Sequence, residues 1–387
     1  MTLNPTPQPL TFPALTFAKL APASFLSAHL SNPSGPTRPS GRTPTQTRTP
    51  TCNTGSLTHA NGSAVVRCGD TAAVCGVRGE ILKAGDVADY EAREVDGDDD
   101  EGEGEGEGEG EGEGEGGEEM MEVRRKKRRR EDTDEMARLN LLVPNLELAT
   151  GCSPAHLPGG PPSVLAQTLT QRVVTLLHTS DMIGMEPLRI WFQPSIESTS
   201  ATPGAMRMGG DMEEMEARKG EEGEMAKAEI KAFWVLYIDV LFISLDGNAF
   251  DAAWLAILAA LKDTILPRAW WDADREMVLC SDDPSEARGL EIGAIPVPLS
   301  FAVFEGDGQG EGERTKEKEK EKWVLVDVDG FEEGLCREEG TVVVGERGRL
   351  VRIEKNGGAG VGMREMRGLV DLAAKRREEW MAVLGMS

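Results

Sequence analysis

The run 233–266, FWVLYIDVLFISLDGNAFDAAWLAILAALKDTIL, constrains this chain most, because an apolar strand, a tight turn and an apolar helix follow one another without a gap. Residues 233–245 are leucine, β-branched and aromatic with one interruption at Asp239, the composition of a strand covered on both faces. Asp246, Gly247 and Asn248 supply turn chemistry: Asp and Asn bond their own backbone, and Gly takes positive φ without steric cost. From 251 to 262 apolar residues recur at helical spacing. Ala252, Ala253, Ala256, Ala259 and Ala260 keep that helix slim enough to lie close against a sheet.

The start of such a helix is a candidate anion site, since its unpaired N–H groups and macrodipole attract phosphate. A phosphate cradle also needs a cation. The turn offers Asn248, Ala249, Phe250 and Asp251, and an acid at a helix N-terminus caps the helix while repelling an anion. The unit therefore reads as a buried structural element.

Net charge is misleading here. Residues 94–122 contain sixteen acids and no Lys or Arg, so they supply −16 of the formal −25. Charge this local leaves nucleic-acid binding open for the rest of the chain, because partners respond to potential within a Debye length. Alternating Glu and Gly cannot bury apolar surface and repels itself, so residues 84–137 read as a solvated, disordered insertion. Within it stand Arg124, Arg125, Lys126, Lys127, Arg128, Arg129 and Arg130, a run that suits a nuclear-import signal or a nucleic-acid patch, against a plain balance for the acids. Residues 194–229 and 305–322 read as two further insertions, and residues 1–16 as a disordered tail.

Six cysteines without a CxxC pair and four histidines give no legible zinc site. Cys68 and Cys75 lie in apolar strand-like runs, where buried free thiols are expected. No secretory signal and no membrane-length apolar run is present, so an intracellular protein is expected.

What remains is β-rich with three helices. A short helical pattern from residue 17 precedes a strand meander at 56–82, then come a strand at 140–148, a helix from 163 to about 179 and a strand at 188–192. Beyond residue 266, further strands with Gly-marked turns lead to a last helix over about 363–384, which makes an α+β fold. Gly357, Gly358, Gly360 and Gly362 sit in dinucleotide-loop context, but no strand or ribose-binding acid follows, so they read as the turn into that helix.

In this order the wording resembles the RNase PH family, and within it the non-catalytic ring subunits of the RNA exosome. RPSGR at 38–42 is similar to the family's RPDGR opening, with Ser40 in place of Asp. NGSAVVRCGDTAAVCGVRGEI at 61–81, VPNLEL at 143–148, WVLYIDVLFISLDGN at 234–248 and VPLSFAVF at 297–304 continue the match. The resemblance implies an RNase PH-like fold (ribosomal protein S5 domain 2-like) of two βαβα-type halves, expected over 17–268 and 269–387.

Phosphorolytic members hold phosphate with a basic residue in the turn after the long strand and place an acid pair after a later strand. Phosphate must be clamped by cations to attack an anionic backbone. Here the matching turn position is Phe250, and at the acid pair Arg337 stands at one position and Glu339 at the other. Asp327, Asp329, Glu332 and Glu333 nearby read as solvated acids at a strand end, and Arg172 as a phosphate or RNA contact or, preferably, a helix-surface arginine paired with an acid.

The expected function is thus a non-catalytic ring subunit of the RNA exosome, supporting 3′-to-5′ RNA processing and degradation without metal or cofactor. Its expected partners are other RNase PH-like ring subunits, S1/KH-type cap subunits and RNA in the channel, with no membrane, in the nucleus, nucleolus and cytoplasm. The runner-up is a phosphorolytic 3′ exoribonuclease. A third reading is an acidic nucleolar binder of basic proteins.

Overall fold

The computed structural model describes residues 12–88, 90, 116–154, 156, 161, 163–180, 182–192, 228–306, 321–358 and 360–386. In chain order the helices are α1 (Ala14–Leu20), α2 (Pro22–Leu30), α3 (Gly116–Leu139), α4 (Val164–Thr179), α5 (Ala249–Asp263), α6 (Gly330–Glu333) and α7 (Met363–Val383). The strands are β1 (Pro50–Thr54), β2 (Gly62–Cys68), β3 (Thr71–Lys83), β4 (Leu142–Leu148), β5 (Arg189–Phe192), β6 (Glu229–Ser244), β7 (Ile265–Leu266), β8 (Ala269–Asp272), β9 (Met277–Cys280), β10 (Arg288–Gly289), β11 (Val297–Glu305), β12 (Lys322–Val326), β13 (Glu338–Val344) and β14 (Leu350–Asn356).

The larger sheet runs β1-β2-β3-β6-β4, with β5 also on β6. Its pairs are antiparallel except β4 with β6, whose parallel register requires a crossover that α4 supplies. Strand β6 starts at Glu229, earlier than the expected 233. It is covered on both faces only over residues 232–236; beyond that Leu241 and Ile243 are 40% and 55% exposed, because helices pack against one face alone there.

Helix α5 is buried all round from Ala249 to Leu261, and its alanines let it press against β2 and β3. Gly62 of β2 makes this possible: a Cβ there would lie 2.4 Å from the Ala260 carbonyl oxygen. The opposite side of α5 meets β11, and the Trp254 indole donates to the Pro296 carbonyl at 2.7 Å. Each fully buried Leu or Ile on α5 is worth about 1.5–3 kcal/mol.

The second sheet runs β12-β11-β13-β14 and is antiparallel throughout. Alternation along β11 sends Leu299, Phe301 and Val303 toward the cluster containing Leu369 and Ala373 of α7, while Ala302 and Phe304 meet Leu26 and Leu30 of α2. The N-terminal helical pattern therefore covers the outer face of this sheet. Residues 1–11 of the expected tail lie outside the described residues.

One expectation fails clearly. Residues 116–139, assigned largely to a solvated insertion, form helix α3. Its last turns are docked: Met136 and Leu139 are buried, and Arg189 of β5 reaches Asp132 at 2.9 Å and Glu135 at 2.6 Å. Charge-dense sequence hid the narrow apolar seam that these two side chains make. Lys127, Arg128, Arg129 and Arg130 are exposed on this helix. Residues 91–115, 193–227 and 307–320, the middles of the three expected insertions, lie outside the described residues.

Gly247, after β6, adopts φ +69°, and a Cβ there would lie 2.5 Å from the Asp329 carbonyl carbon. Gly247→Ala is expected to lower stability by at least about 2 kcal/mol, because both strain and a backbone clash must be relieved. Gly358→Ala, in open space, should change it by less than about 0.5 kcal/mol. Urea unfolding of the two variants makes the comparison.

Candidate functional site

The turn from β6 into α5 packs against the end of β12, and buried charges join them. Asp327, 1% exposed, accepts from the Arg48 backbone N–H at 2.6 Å, from Arg48 Nη2 at 2.8 Å and from Asn248 Nδ2 at 2.6 Å. Burial alone raises a carboxyl pKa, but Arg376, Arg48 and Asn248 overcome it and hold Asp327 far below the usual range. Asn248 also donates to Asp251 at 2.9 Å. Asp251 in turn accepts from the Ser300 backbone N–H at 3.1 Å and hydroxyl at 2.7 Å, and pairs with Arg376 at 3.1 Å.

This geometry corrects two expectations. Asp251 does not cap α5; the N-cap is Asn248, left-handed at φ 48°, and its side chain makes no cap bond. Asp327 and Glu332 are not solvated strand-end acids, because Arg38, Arg42 and Arg48 from the N-terminal segment fold over them. Arg38 is fully enclosed. It pairs with Glu332 at 3.2 Å and donates to the carbonyls of Pro44, Val326 and Asp327.

Beside this network lies a cleft between α4, the start of α5, and the β11, β13 and β14 strands. Phe250 and Arg172 meet in it: the guanidinium sits 3.9 Å from the centroid of the Phe250 ring, which is 4% exposed. Arg172 also donates to Glu354 at 2.7 Å and to the Thr341 hydroxyl at 2.7 Å, so its charge is spent inside the protein. The pairing expected for Arg172 is found, with Glu354 as its acid.

Glu339 lines the same cleft, whereas Arg337 is exposed on the connection before β13 and does not. Glu333, at the end of α6, is half-buried and lines the cleft, not the solvated strand-end acid that the sequence suggests. Burial, and then repulsion from Glu339, push its carboxyl pKa up to about 7. Periodicity carries no signal for such a position, because its burial and its approach to Glu339 are set by tertiary packing.

Other candidates scatter. Cys68 and Cys75 are buried thiols, and burial raises Cys68 to about 11. Among the described residues no group of three His, Cys, Asp or Glu is placed to hold a metal ion, and no helix is long and apolar enough to cross a membrane. Gly362 forms the N-cap of α7, as the reading of a helix-leading turn requires.

A carboxyl whose folded pKa is raised favours the folded state most fully below its unfolded value, and that contribution is lost as pH rises through the folded value. Glu333 therefore costs stability between about pH 4.5 and 7. Glu333→Gln should be the more stable protein at pH 8, by on the order of 1 kcal/mol after allowing for partial solvent screening, and should match the parent at pH 4. Urea midpoints at the two pH values measure this.

The sequence matches the RNase PH family, described as 3′ exoribonuclease family, domain 1, over residues 46–100 and 120–267. It is 27% identical over 349 residues to exosome complex component rrp43 of Schizosaccharomyces pombe, covering 90% of each chain. Exosome complex component Rrp42 of Thermococcus gammatolerans is 26% identical over 170 residues, 43% of this chain and 55% of the relative. In structure the chain is similar to a chain of the Archaeoglobus fulgidus exosome with RNA bound to the active site, with a TM-score of 0.53 at 18% identity over 92% of this chain and 97% of that one. A chain of an archaeal exosome core gives 0.51 at 18% identity, covering 92% and 95%. These likenesses carry the RNase PH-like fold, and with a family match across more than half its length this chain belongs to the RNase PH family.

Proposed function

We propose that this chain is a non-catalytic structural subunit of an RNA exosome ring, supporting 3′-to-5′ RNA processing and degradation. One observation carries the reading. At the start of α5, where phosphorolysis needs a cationic clamp, the cleft holds Phe250 under an internally paired Arg172, facing Glu333, Glu339 and Glu354. Glu339 and a partly protonated Glu333, beside an Arg172 already paired with Glu354, disfavour a phosphate dianion, and the dipole of α5 alone, worth about 0.3–1 kcal/mol, does not reverse that. The likeness to an exosome component over 90% of both chains supports the ring role. Its partners in this reading are other RNase PH-fold ring subunits and S1/KH-type caps, with RNA passing through the channel.

Purified chain, alone and with its ring partners, is expected to release no nucleoside diphosphates from a 3′-labelled RNA in the presence of phosphate. Phosphate-dependent release that Glu339→Ala abolishes would establish the phosphorolytic alternative instead.

The same reading places the protein in the nucleus and nucleolus as well as the cytoplasm, with residues 124–130 as the import signal. Four of these, Lys127–Arg130, are solvent-exposed on α3. Replacing all seven with Gln is expected to reduce nuclear accumulation of the tagged chain; undiminished nuclear signal in cells lacking the untagged protein refutes the assignment.

A further inference from the structure

Strands β8 and β9 make a two-stranded hairpin of their own, a unit that is marginal in water unless its faces are covered. One face is covered: Ala269 and Val278 pack against the main core, and β8 lies against β5. The register decides what the other face carries. Directly opposed residues of an antiparallel pair share a face, so Trp270 stands beside Leu279 and Asp272 beside Met277, all turned away from Val278. Trp270 is 40% and Met277 42% exposed, and Leu279 is half-buried. One exposed apolar side chain is ordinary. Three in register on one small face form a patch of the kind that contact surfaces use, and tryptophan is enriched at the energetic centre of such surfaces.

Charge at both ends of the patch says what covers it. At the tip stand Asp272, Asp274 and Glu276; at the base, where the Ser281 N–H donates to the Arg268 carbonyl, stand Asp282, Asp283 and Glu286. Residues 268–291 hold seven acids and three arginines, and two of the arginines are already paired, Arg268 with Glu286 at 3.3 Å and Arg275 with Asp272 at 3.8 Å. Lys83 reaches the hairpin at the Glu276 carbonyl. Asp274, Glu276, Asp282 and Asp283 are exposed and make no ion pair among the described residues. An apolar centre with an anionic rim complements an apolar pocket with a cationic one. RNA, or the same face of a second copy, brings like charge against that rim.

We infer that the outer face of the β8–β9 hairpin docks the basic surface of another protein subunit, with Trp270 as the anchor. This rests on the ring-subunit reading, which makes the partner one of the other exosome subunits; the hairpin adds which surface is used and what chemistry recognises it. The rim charges steer encounter and are screened by salt, while burial of the indole sets how long the complex lasts.

Titration of the full chain against each RNase PH-fold ring subunit and each S1/KH-type cap subunit of the same organism, followed by interferometry, tests it. One of them is expected to bind, and Trp270→Thr to bind that subunit at least about tenfold more weakly. Asp274→Asn with Asp282→Asn leaves the apolar centre intact; it should weaken the same complex at about 0.05 M salt and match the parent at about 0.5 M. Met363→Thr, at an apolar side chain 72% exposed on α7, should bind as the parent does, and thermal melts confirm that each variant folds. Undiminished binding by Trp270→Thr, or by the charge variant at low salt, overturns the inference and leaves the ring reading standing. A parent that binds none of the subunits overturns both. Self-association lost in Trp270→Thr, or RNA binding weakened by it, overturns the inference in favour of a second copy or of nucleic acid.

Discussion

Asp327 is the group on which the two sheets depend. It stands at the end of β12 in a left-handed conformation, φ 49°, and is buried where an isolated carboxylate would be prohibitively costly. Arg48 and Asn248 make it tolerable, and in doing so they tie the N-terminal segment and the β6–α5 turn to the second sheet. Removing one partner from such a buried set costs about 3–5 kcal/mol, a large part of the roughly 5–15 kcal/mol that holds a typical domain. Much of the molecule's cohesion at this seam is therefore polar and specific, unlike the apolar packing of α5.

The same constraint shapes the cleft. Asn248 presents its nitrogen to Asp327 and Asp251, and its oxygen is left buried without a partner among the described residues. Asp251, bound to Ser300 and Arg376, is drawn away from the helix end it would otherwise cap. Meanwhile Arg172, the one guanidinium that lines the cleft among the described residues, is held by Glu354, Thr341 and the Phe250 ring. The strand–turn–helix is intact, and the cleft at its turn is lined by Glu333, Glu339 and Glu354 together with the internally paired Arg172.

Some of this is legible in the linear sequence. The strand, turn and helix of 233–266 lie near their expected places, since apolar periodicity and turn chemistry are local properties. That Phe250 carries no charge follows from residue type alone. Other features are hidden by composition. Helix α3 reads as solvated low complexity because its charged residues outnumber the two apolar side chains, Met136 and Leu139, that dock it. The acids around residue 327 read as solvated because the arginines that enclose them are far away in the chain.

By itself the sequence determined the α+β fold, the resemblance to the family and the uncharged residue at 250, because each is written in residue type and short-range spacing. Only the tertiary structure decided which charges are buried and paired. Arg48 and Asp327 are separated by 279 positions, and no periodicity of strand or helix reaches that far. Glu333, Glu339 and Asn248 line one cleft only because β11 stands between β12 and β13 in the second sheet and the β6–α5 turn is tied to the end of β12. The strand–turn–helix of 233–266 is a local fact; the charge of the cleft beside it is a global one.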